Sequence, residues 1–184
     1  MIRRIGVGSY GEVWLGRNVI GAYRAIKVVY RQSFDSDRPY EREFAGMQKF
    51  EPISRSHEGL VDVLQIGRND ERGYFYYVME LADDAVIRSA TNLEGTGASE
   101  RTTVVEGMPG RQASAQLPQT EAFNPETYLP KTLRTELARR RRLPFDECLQ
   151  IGISLSSALG HMHQHGLIHR DIKPSNIIFV HGAP

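Results

Sequence analysis

Residues 169–176 carry the densest set of chemically active side chains in the 184-residue sequence, reading His-Arg-Asp-Ile-Lys-Pro-Ser-Asn. The spacing fits the pattern H-R-D-x-x-x-x-N at every fixed position. It predicts that Asp171 orients an attacking hydroxyl group or accepts its proton, while Lys173 reaches a phosphoryl group in transfer. Asn176 is predicted to bring an amide oxygen to a metal ion on the phosphates. A polar loop that simply follows a helix is the alternative, and the agreement over the whole segment argues against it.

A glycine-rich segment near the N-terminus fits G-x-G-x-x-G and consists of Gly6, Val7, Gly8, Ser9, Tyr10 and Gly11. Glycines let a backbone approach phosphate groups closely. A dinucleotide-binding fold would need a full strand before the glycines and a helix after them. Here residues 12–15 alternate like a strand, and Val13 extends the pattern to G-x-G-x-x-G-x-V. The sequence therefore favours a strand–turn–strand flap over phosphates, with a plain hairpin turn as the alternative.

Lys27 lies in the β-rich run of residues 24–30. A lysine in a buried strand is costly unless it is paired or serves a site, although an edge-strand lysine facing solvent is the alternative. The next predicted helix offers Glu41 and Glu43 as partners. Glu43 is preferred because it lies beside the apolar face of that helix, and Glu41 stays possible.

The elements that position these residues fall into three zones. Residues 1–82 read as short strands around one helix. Strands are predicted near residues 12–15, 24–30 and 74–79, and a helix over 39–50 because Phe44, Met47 and Phe50 recur at i, i+3 and i+6.

Residues 83–130 show no sustained period and read as a flexible insertion. In residues 131–184 we expect a short helix from Leu133 to the arginine run. A longer amphipathic helix over 148–162, with Gly166 as its terminator, should follow. Residues 177–180 read as one more buried strand.

Composition limits the class of protein. Lys plus Arg number 23 and Asp plus Glu 22, which gives a net charge of +1 and argues against a general nucleic-acid binder. The single cysteine, Cys148, excludes an internal disulfide framework. We find no apolar run long enough for a spanning helix and no signal region, so a cytoplasmic location without membrane contact is expected.

The glycine-rich segment, Ala25-Ile26-Lys27 and residues 169–176, in this order, resemble the eukaryotic-type protein kinase family. With a lysine at position 173, the last segment resembles the corresponding loop of the serine/threonine subclass. The resemblance implies an α+β, two-lobed fold. Residues 1–82 would form the N-lobe and hinge, with an antiparallel sheet and one helix, and residues 131–184 the start of a helical C-lobe. ATP and Mg²⁺ would be the cofactors, and a protein with Ser or Thr hydroxyl groups the substrate.

The resemblance also implies roles for single residues. The segment from Gly6 to Gly11 would line the phosphate flap, and Lys27 would hold the phosphates while paired with Glu43. Val13 and Ala25 would pack above the adenine ring, with Ile178 below it. Residues 77–82 resemble the hinge, with Met79 as gatekeeper and the backbones of Glu80 and Ala82 hydrogen-bonded to adenine. Asn176 would be the metal ligand.

One departure from the family concerns the residues after Asn176. Kinases continue with an Asp-Phe-Gly-like motif and an activation segment, and no Asp follows Asp171 here. We therefore expect an incomplete helical lobe and little phosphoryl transfer by this chain. A nucleotide-binding pseudokinase or regulatory module, or a nonfunctional remnant, is the rival interpretation.

Two further signals are discounted. The arginine run of residues 139–142 is interpreted as a solvated helix end rather than a nucleic-acid patch. The histidines at 161, 163, 165 and 169 are interpreted as structural rather than metal-binding, with His169 expected to pack in the core beside Met47.

Overall fold

The computed structural model describes residues 1–86 and 123–184. A five-stranded antiparallel sheet in the order β1-β2-β3-β5-β4 forms its N-terminal part. The strands are β1 Arg3–Gly8, β2 Gly11–Arg17, β3 Tyr23–Tyr30, β4 Val63–Asn69 and β5 Tyr74–Met79. Helix α1, Asp37–Ser54, connects β3 to β4, and helices α2, Leu133–Arg140, and α3, Phe145–Gln164, follow β5. The α+β class and the antiparallel N-lobe sheet with one helix are confirmed.

The core of the N-terminal part lies between the sheet and α1. Its buried members are Val29, Tyr40, Val63, Phe75 and Tyr77. The side chains of Phe44, Met47 and Phe50 pack against them, which confirms the predicted apolar face of α1. The helix is longer than predicted because it continues through Pro52 to Ser54. The buried Ser54 hydroxyl donates to Glu51 O at 2.7 Å and accepts from Val63 N at 3.0 Å, which joins the helix end to β4.

Strand β4 was not predicted, and neither was the full extent of β1. Both strands contain a bulge, between Arg4 and Gly6 in β1 and between Val63 and Gln65 in β4. A bulge adds one residue to one strand and so interrupts the two-residue alternation on which a sequence-based assignment depends. Strands β2, β3 and β5 confirm the predicted extended runs.

The C-terminal helices match the sequence pattern. Helix α2 begins after Thr132, whose side chain accepts from Thr135 N in a capping box, and ends in the arginine run. Helix α3 buries Ile151, Ala158 and Met162. Gly166 follows it with φ +71°, a left-handed conformation that suits a helix terminator. No helix in the part of the chain that the structure describes is long and apolar enough to cross a bilayer.

The predicted strand over residues 177–180 is wrong. This stretch forms only single bridges, from Ile178 to Thr132 and from Val180 to Ala183. Its apolar residues nevertheless pack inward, with Ile177 and Phe179 buried. The apolar composition of this stretch reflects its burial. A strand also needs a continuous backbone partner, and within residues 1–86 and 123–184 this stretch forms only isolated bridges.

Most of the predicted insertion of residues 83–130 lies outside the described residues. Its two ends are packed: Asp84 bridges to Pro130, and the buried Tyr128 donates its hydroxyl hydrogen to Ala82 O at 3.0 Å. The Phe123 ring lies 4.4 Å from that of Tyr23. Arg3 also donates to the carbonyl groups of Pro125 and Tyr128. The domain boundaries at 83 and 130 stay a prediction.

Candidate functional site

The glycine-rich segment forms a hairpin. Gly8 of β1 lies opposite Gly11 of β2, which leaves Ser9 and Tyr10 as the turn. The turn is anchored because the Tyr10 ring stacks on Phe34 at 4.3 Å and its carbonyl accepts from Tyr30 N at 3.1 Å. A strand thus follows the glycines, as the flap interpretation requires.

The three glycines have different surroundings. A Cβ atom on Gly11 would lie 1.9 Å from Val28 O, so glycine is required there for strands β2 and β3 to pair. A Cβ atom on Gly6 or Gly8 would meet its nearest neighbour only at 3.5 Å or 3.8 Å, an ordinary contact. Packing therefore explains Gly11 but not Gly6 and Gly8, where close approach of a ligand to the backbone is the remaining physical reason for a glycine.

Lys27 lies in the middle of β3, opposite Val13 of β2 on one side and Tyr77 of β5 on the other. Glu41 forms a two-pronged pair with Arg68, with both N–O distances 2.7 Å. Glu43 is exposed, and the predicted direct ion pair between Lys27 and Glu43 is not formed within 4.0 Å in the described residues. Burial lowers the pKa of Lys27, but Tyr77 and the carboxylates of Glu43 and Asp171 together raise it above its ordinary value. Lys27 therefore stays cationic, with Glu43 and Asp171 in its electrostatic surroundings.

The segment 169–176 forms a compact polar loop. Lys173 Nζ lies 2.7 Å from Asp171 Oδ2, and Asn176 Nδ2 donates to the same oxygen at 2.9 Å and to Asp171 O at 2.8 Å. The hydrogen bonds from Lys173 and Asn176 lower the pKa of Asp171, so this exposed side chain is a carboxylate at neutral pH. The structure brings together the three side chains that the spacing predicted.

Two neighbours complete the loop. Arg170 has φ +65°, a left-handed conformation that is unfavourable for a residue with a long side chain. Such strain is typical of functional loops whose geometry is fixed by their surroundings. His169 is exposed, so its predicted packing in the core is wrong for the described residues; Asp171 N donates to its Nδ1 at 3.4 Å.

The predicted hinge follows β5. Glu80 N donates to Asp62 O at 3.1 Å, and the Glu80 side chain accepts from Asp62 N at 2.8 Å. The carbonyl of Ala82 accepts from Tyr128. Glu80 O and Ala82 N have no hydrogen-bond partner within residues 1–86 and 123–184. An open carbonyl and an open N–H two residues apart suit a flat ligand edge with an adjacent donor and acceptor.

The residues expected around an adenine ring lie near this hinge. Ala25 is buried on β3, directly opposite Met79 at the end of β5, and Val13 lies on the neighbouring strand. Ile178 is half-buried, and the next residue accepts a hydrogen bond at its carbonyl from Asp83 N, at 2.7 Å, just beyond the hinge.

Asp83 and Asp84, which follow the predicted hinge, are engaged within the chain. The Asp83 carboxylate accepts from His181 N at 2.9 Å and Gly182 N at 2.8 Å. Asp84 Oδ1 accepts from Val86 N at 3.0 Å and Leu129 N at 3.2 Å. Both carboxylates thus stabilise turns of the polypeptide.

Sequence reasoning missed Tyr77 as the neighbour of Lys27. The aromatic run of residues 74–79 signalled a strand but not its register against β3.

Residues 118–183 match the family model described as protein kinase domain. This part of the chain is similar to a protein kinase domain.

Several curated relatives are named as protein kinases. The serine/threonine-protein kinase PrkC of Bacillus subtilis is 24% identical over 181 residues, which is 98% of this chain and 20% of PrkC. The probable serine/threonine-protein kinase PknB of Lactococcus lactis is 24% identical over 179 residues, or 97% of this chain and 21% of PknB. A probable cell division protein kinase of Encephalitozoon cuniculi is 45% identical over 51 residues, 28% of this chain and 16% of that protein. The chain spans about a fifth of the length of PrkC and PknB.

Proposed function

We propose that this chain provides the nucleotide-binding lobe and the catalytic loop of an ATP-dependent protein serine/threonine kinase. The observation that carries the proposal is the Asp171 carboxylate, held by Lys173 and Asn176 within the electrostatic field of Lys27. This arrangement puts a proton acceptor and two cations at one place. Phosphoryl transfer depends on such positioning and charge stabilisation more than on covalent participation of the protein.

In the proposed complex, adenine lies between Val13 and Ala25 on one side and Ile178 on the other. Its amino group would donate to Glu80 O, and its neighbouring ring nitrogen would accept from Ala82 N. Both backbone groups are free of other partners in the described residues. The open backbone at Gly6 and Gly8 would lie over the phosphates, and Lys27 would bind their oxygens.

The residues present suit a hard divalent cation only in part. Mg²⁺ prefers oxygen ligands and is often bound through one or two side chains together with substrate phosphates. Asn176 would offer Oδ1, because its Nδ2 already binds Asp171. Described residues include no group of three or more His, Cys, Asp or Glu side chains that could hold a metal ion alone. When bound, Mg²⁺ neutralises charge on the phosphates.

In the proposed reaction, Asp171 orients a serine or threonine hydroxyl group of a protein substrate and accepts its proton. The hydroxyl oxygen forms a bond to the γ-phosphorus while the bond to the bridging oxygen breaks, and ADP leaves. Lys173, beside Asp171, would stabilise the charge on the transferred group. Because the pKa of Asp171 is lowered, this carboxylate orients the hydroxyl group more than it pulls off the proton before attack.

Activity and location of the whole protein belong to the same proposal. Nucleotide binding is the part of the proposal that the 184-residue chain can test directly. The test therefore measures nucleotide binding. We also propose a cytoplasmic location, because a chain with a single cysteine forms no internal disulfide that would need an oxidising compartment.

The first prediction is that ATP with Mg²⁺ raises the melting temperature of this chain in a concentration-dependent way, as mass action requires. We expect Lys27→Met to lose most of the shift, because the substitution removes the cation that would bind the phosphates. Lys49→Met is the matched control, since Lys49 is an exposed lysine on α1. An equal shift in the wild type and Lys27→Met would refute the proposed nucleotide site, and no shift in any of the three would refute nucleotide binding by this chain.

A further inference from the structure

Lys27 has an aromatic neighbour where a carboxylate was expected. Lys27 and Tyr77 lie directly opposite each other in the antiparallel pair of β3 and β5. Side chains in such positions share one face of the sheet and are close neighbours. The Lys27 Nζ atom lies over the Tyr77 ring, 5.6 Å from its centroid.

The ring is the relevant part of Tyr77. The described residues contain no hydrogen bond of good geometry from Lys27 to the Tyr77 hydroxyl, although Tyr77 contributes to raising the pKa of Lys27. An ammonium group within about 6 Å of an aromatic ring centroid is attracted to the face of that ring. Tyr77 is 8% exposed and its position is fixed by the core of the N-terminal part. A fixed ring beside a long flexible side chain restricts the positions that the ammonium group can take.

The carboxylates around Lys27 do not fix the position of its ammonium group by a direct ion pair. Glu41 is bound to Arg68, and neither Glu43 nor Asp171 forms an ion pair with Lys27 within 4.0 Å in the described part of the chain. Asp171 is paired with Lys173 instead. The Lys27 charge is thus attracted by a neutral ring and by more distant carboxylates, and it is not neutralised by a direct contact.

We propose that Tyr77 is a positioning residue, whose ring holds the Lys27 ammonium group beside β5 and leaves its charge available to an anionic ligand. This inference rests on the proposed function, in which Lys27 binds the phosphates of ATP. It differs from a purely structural role of Tyr77, which would fill the core together with Phe75 but would not affect Lys27.

The test compares Tyr77→Leu, which removes the ring, with Tyr77→Phe, which removes only the hydroxyl group. Phe75→Leu is the matched control, because it deletes another buried ring from the same strand and the same core. The Kd for ATP with Mg²⁺ is measured for each 184-residue variant at a temperature where all are folded. We expect Tyr77→Leu to weaken binding about fivefold, in the range of a cation–π contact. Tyr77→Phe and Phe75→Leu should bind like the wild type.

A second readout needs no nucleotide. Protons on the Lys27 side chain near the face of a ring are shifted upfield in an NMR spectrum. With isotope-labelled lysine, we expect the upfield signal to be present in the wild type, Tyr77→Phe and Phe75→Leu, and absent in Tyr77→Leu and Lys27→Met. A signal that persists in Tyr77→Leu would overturn the inference.

Failure of the inference can be told apart from failure of the proposed function. If Lys27→Met weakens binding while Tyr77→Leu binds no worse than Phe75→Leu, the nucleotide site stands and the role of Tyr77 is refuted. If Lys27→Met binds as tightly as the wild type, the proposed function is refuted at its phosphate contact. In a Lys27→Met background, Tyr77→Leu should have no further effect beyond that of Phe75→Leu, since Tyr77 acts through Lys27.

Discussion

Single residues in this chain illustrate how the partner of a polar atom decides its contribution to stability. Tyr40 and Tyr128 are each 1% exposed. The Tyr128 hydroxyl donates to Ala82 O at 3.0 Å, whereas the Tyr40 hydroxyl has no partner in the described residues. A buried polar group without a partner is destabilising, while one that is hydrogen-bonded is favourable.

We predict opposite outcomes for the same substitution at these two sites. Tyr128→Phe should lower the free energy of unfolding by about 1 kcal/mol, because it leaves the Ala82 carbonyl without its donor. Tyr40→Phe should leave the free energy of unfolding unchanged or raise it, because only an unsatisfied hydroxyl is lost. Urea unfolding at pH 7 measures both, and each variant is the control for the other. Equal losses would contradict the assigned hydrogen bonds.

At the scale of elements, the β1–β2 hairpin contains two glycines with different roles. Gly11 is required for the strands to pack, whereas Gly8 is not. Gly11→Ala should be strongly destabilising, since the new Cβ atom would overlap Val28 O of β3 at 1.9 Å. Gly8→Ala should change the melting temperature little, because its nearest neighbour would be 3.8 Å away. Thermal unfolding monitored by circular dichroism tests this pair without nucleotide. A loss of stability in Gly8→Ala as large as that in Gly11→Ala would mean that both glycines are structural.

At the scale of the whole molecule, histidines connect the loop after α1 to helix α3. Ser56 Oγ lies 2.8 Å from His161 Nε2, and His57 Nε2 lies 2.9 Å from Ser157 Oγ. The His161 ring is 5.2 Å from the ring of His57 and 4.6 Å from that of His165. Partial burial and these two histidines lower the pKa of His161.

The contacts of His161 with the loop after α1 make the free energy of unfolding depend on pH. Because the pKa of His161 is lower in the folded chain than its ordinary value of 6.5, the folded state favours the neutral ring. Its contribution is present above pH 6.5 and is lost as the pH falls through the folded pKa. We predict a falling melting temperature between pH 7 and pH 5, with a shallower fall in His161→Gln.

The control for this prediction is His163→Gln, because His163 is an exposed histidine on the same helix, α3. It should keep the wild-type pH dependence. Part of the slope will remain in His161→Gln, because partial desolvation by neighbouring atoms also lowers the pKa of His169, although its side chain stays exposed. If the melting temperature fell equally steeply with pH in the wild type and in His161→Gln, a contribution of His161 would be excluded.

The sequence by itself determined what depends on neighbouring residues. The glycine hairpin and the clustering of Asp171, Lys173 and Asn176 could be predicted, because a few successive residues fix their geometry. The chemistry of these residues stays a prediction. Helices α2 and α3 and strands β2, β3 and β5 could be predicted for a related reason, since each leaves its own period in the sequence. The resemblance to the protein kinase family followed from the order of these short segments, and the family model matches residues 118–183.

Only the tertiary structure decided which distant residues meet. The bulged strand β4, the single bridges of residues 177–180 and the packed ends of the insertion all depend on backbone partners far along the chain. The same holds at Lys27, whose nearest aromatic partner, Tyr77, is set by the register of β3 against β5. Strand register is fixed by the packing of whole faces, and a shift of one residue would exchange every neighbour. Local pattern therefore specifies an element and its chemistry, while packing between elements selects the partners.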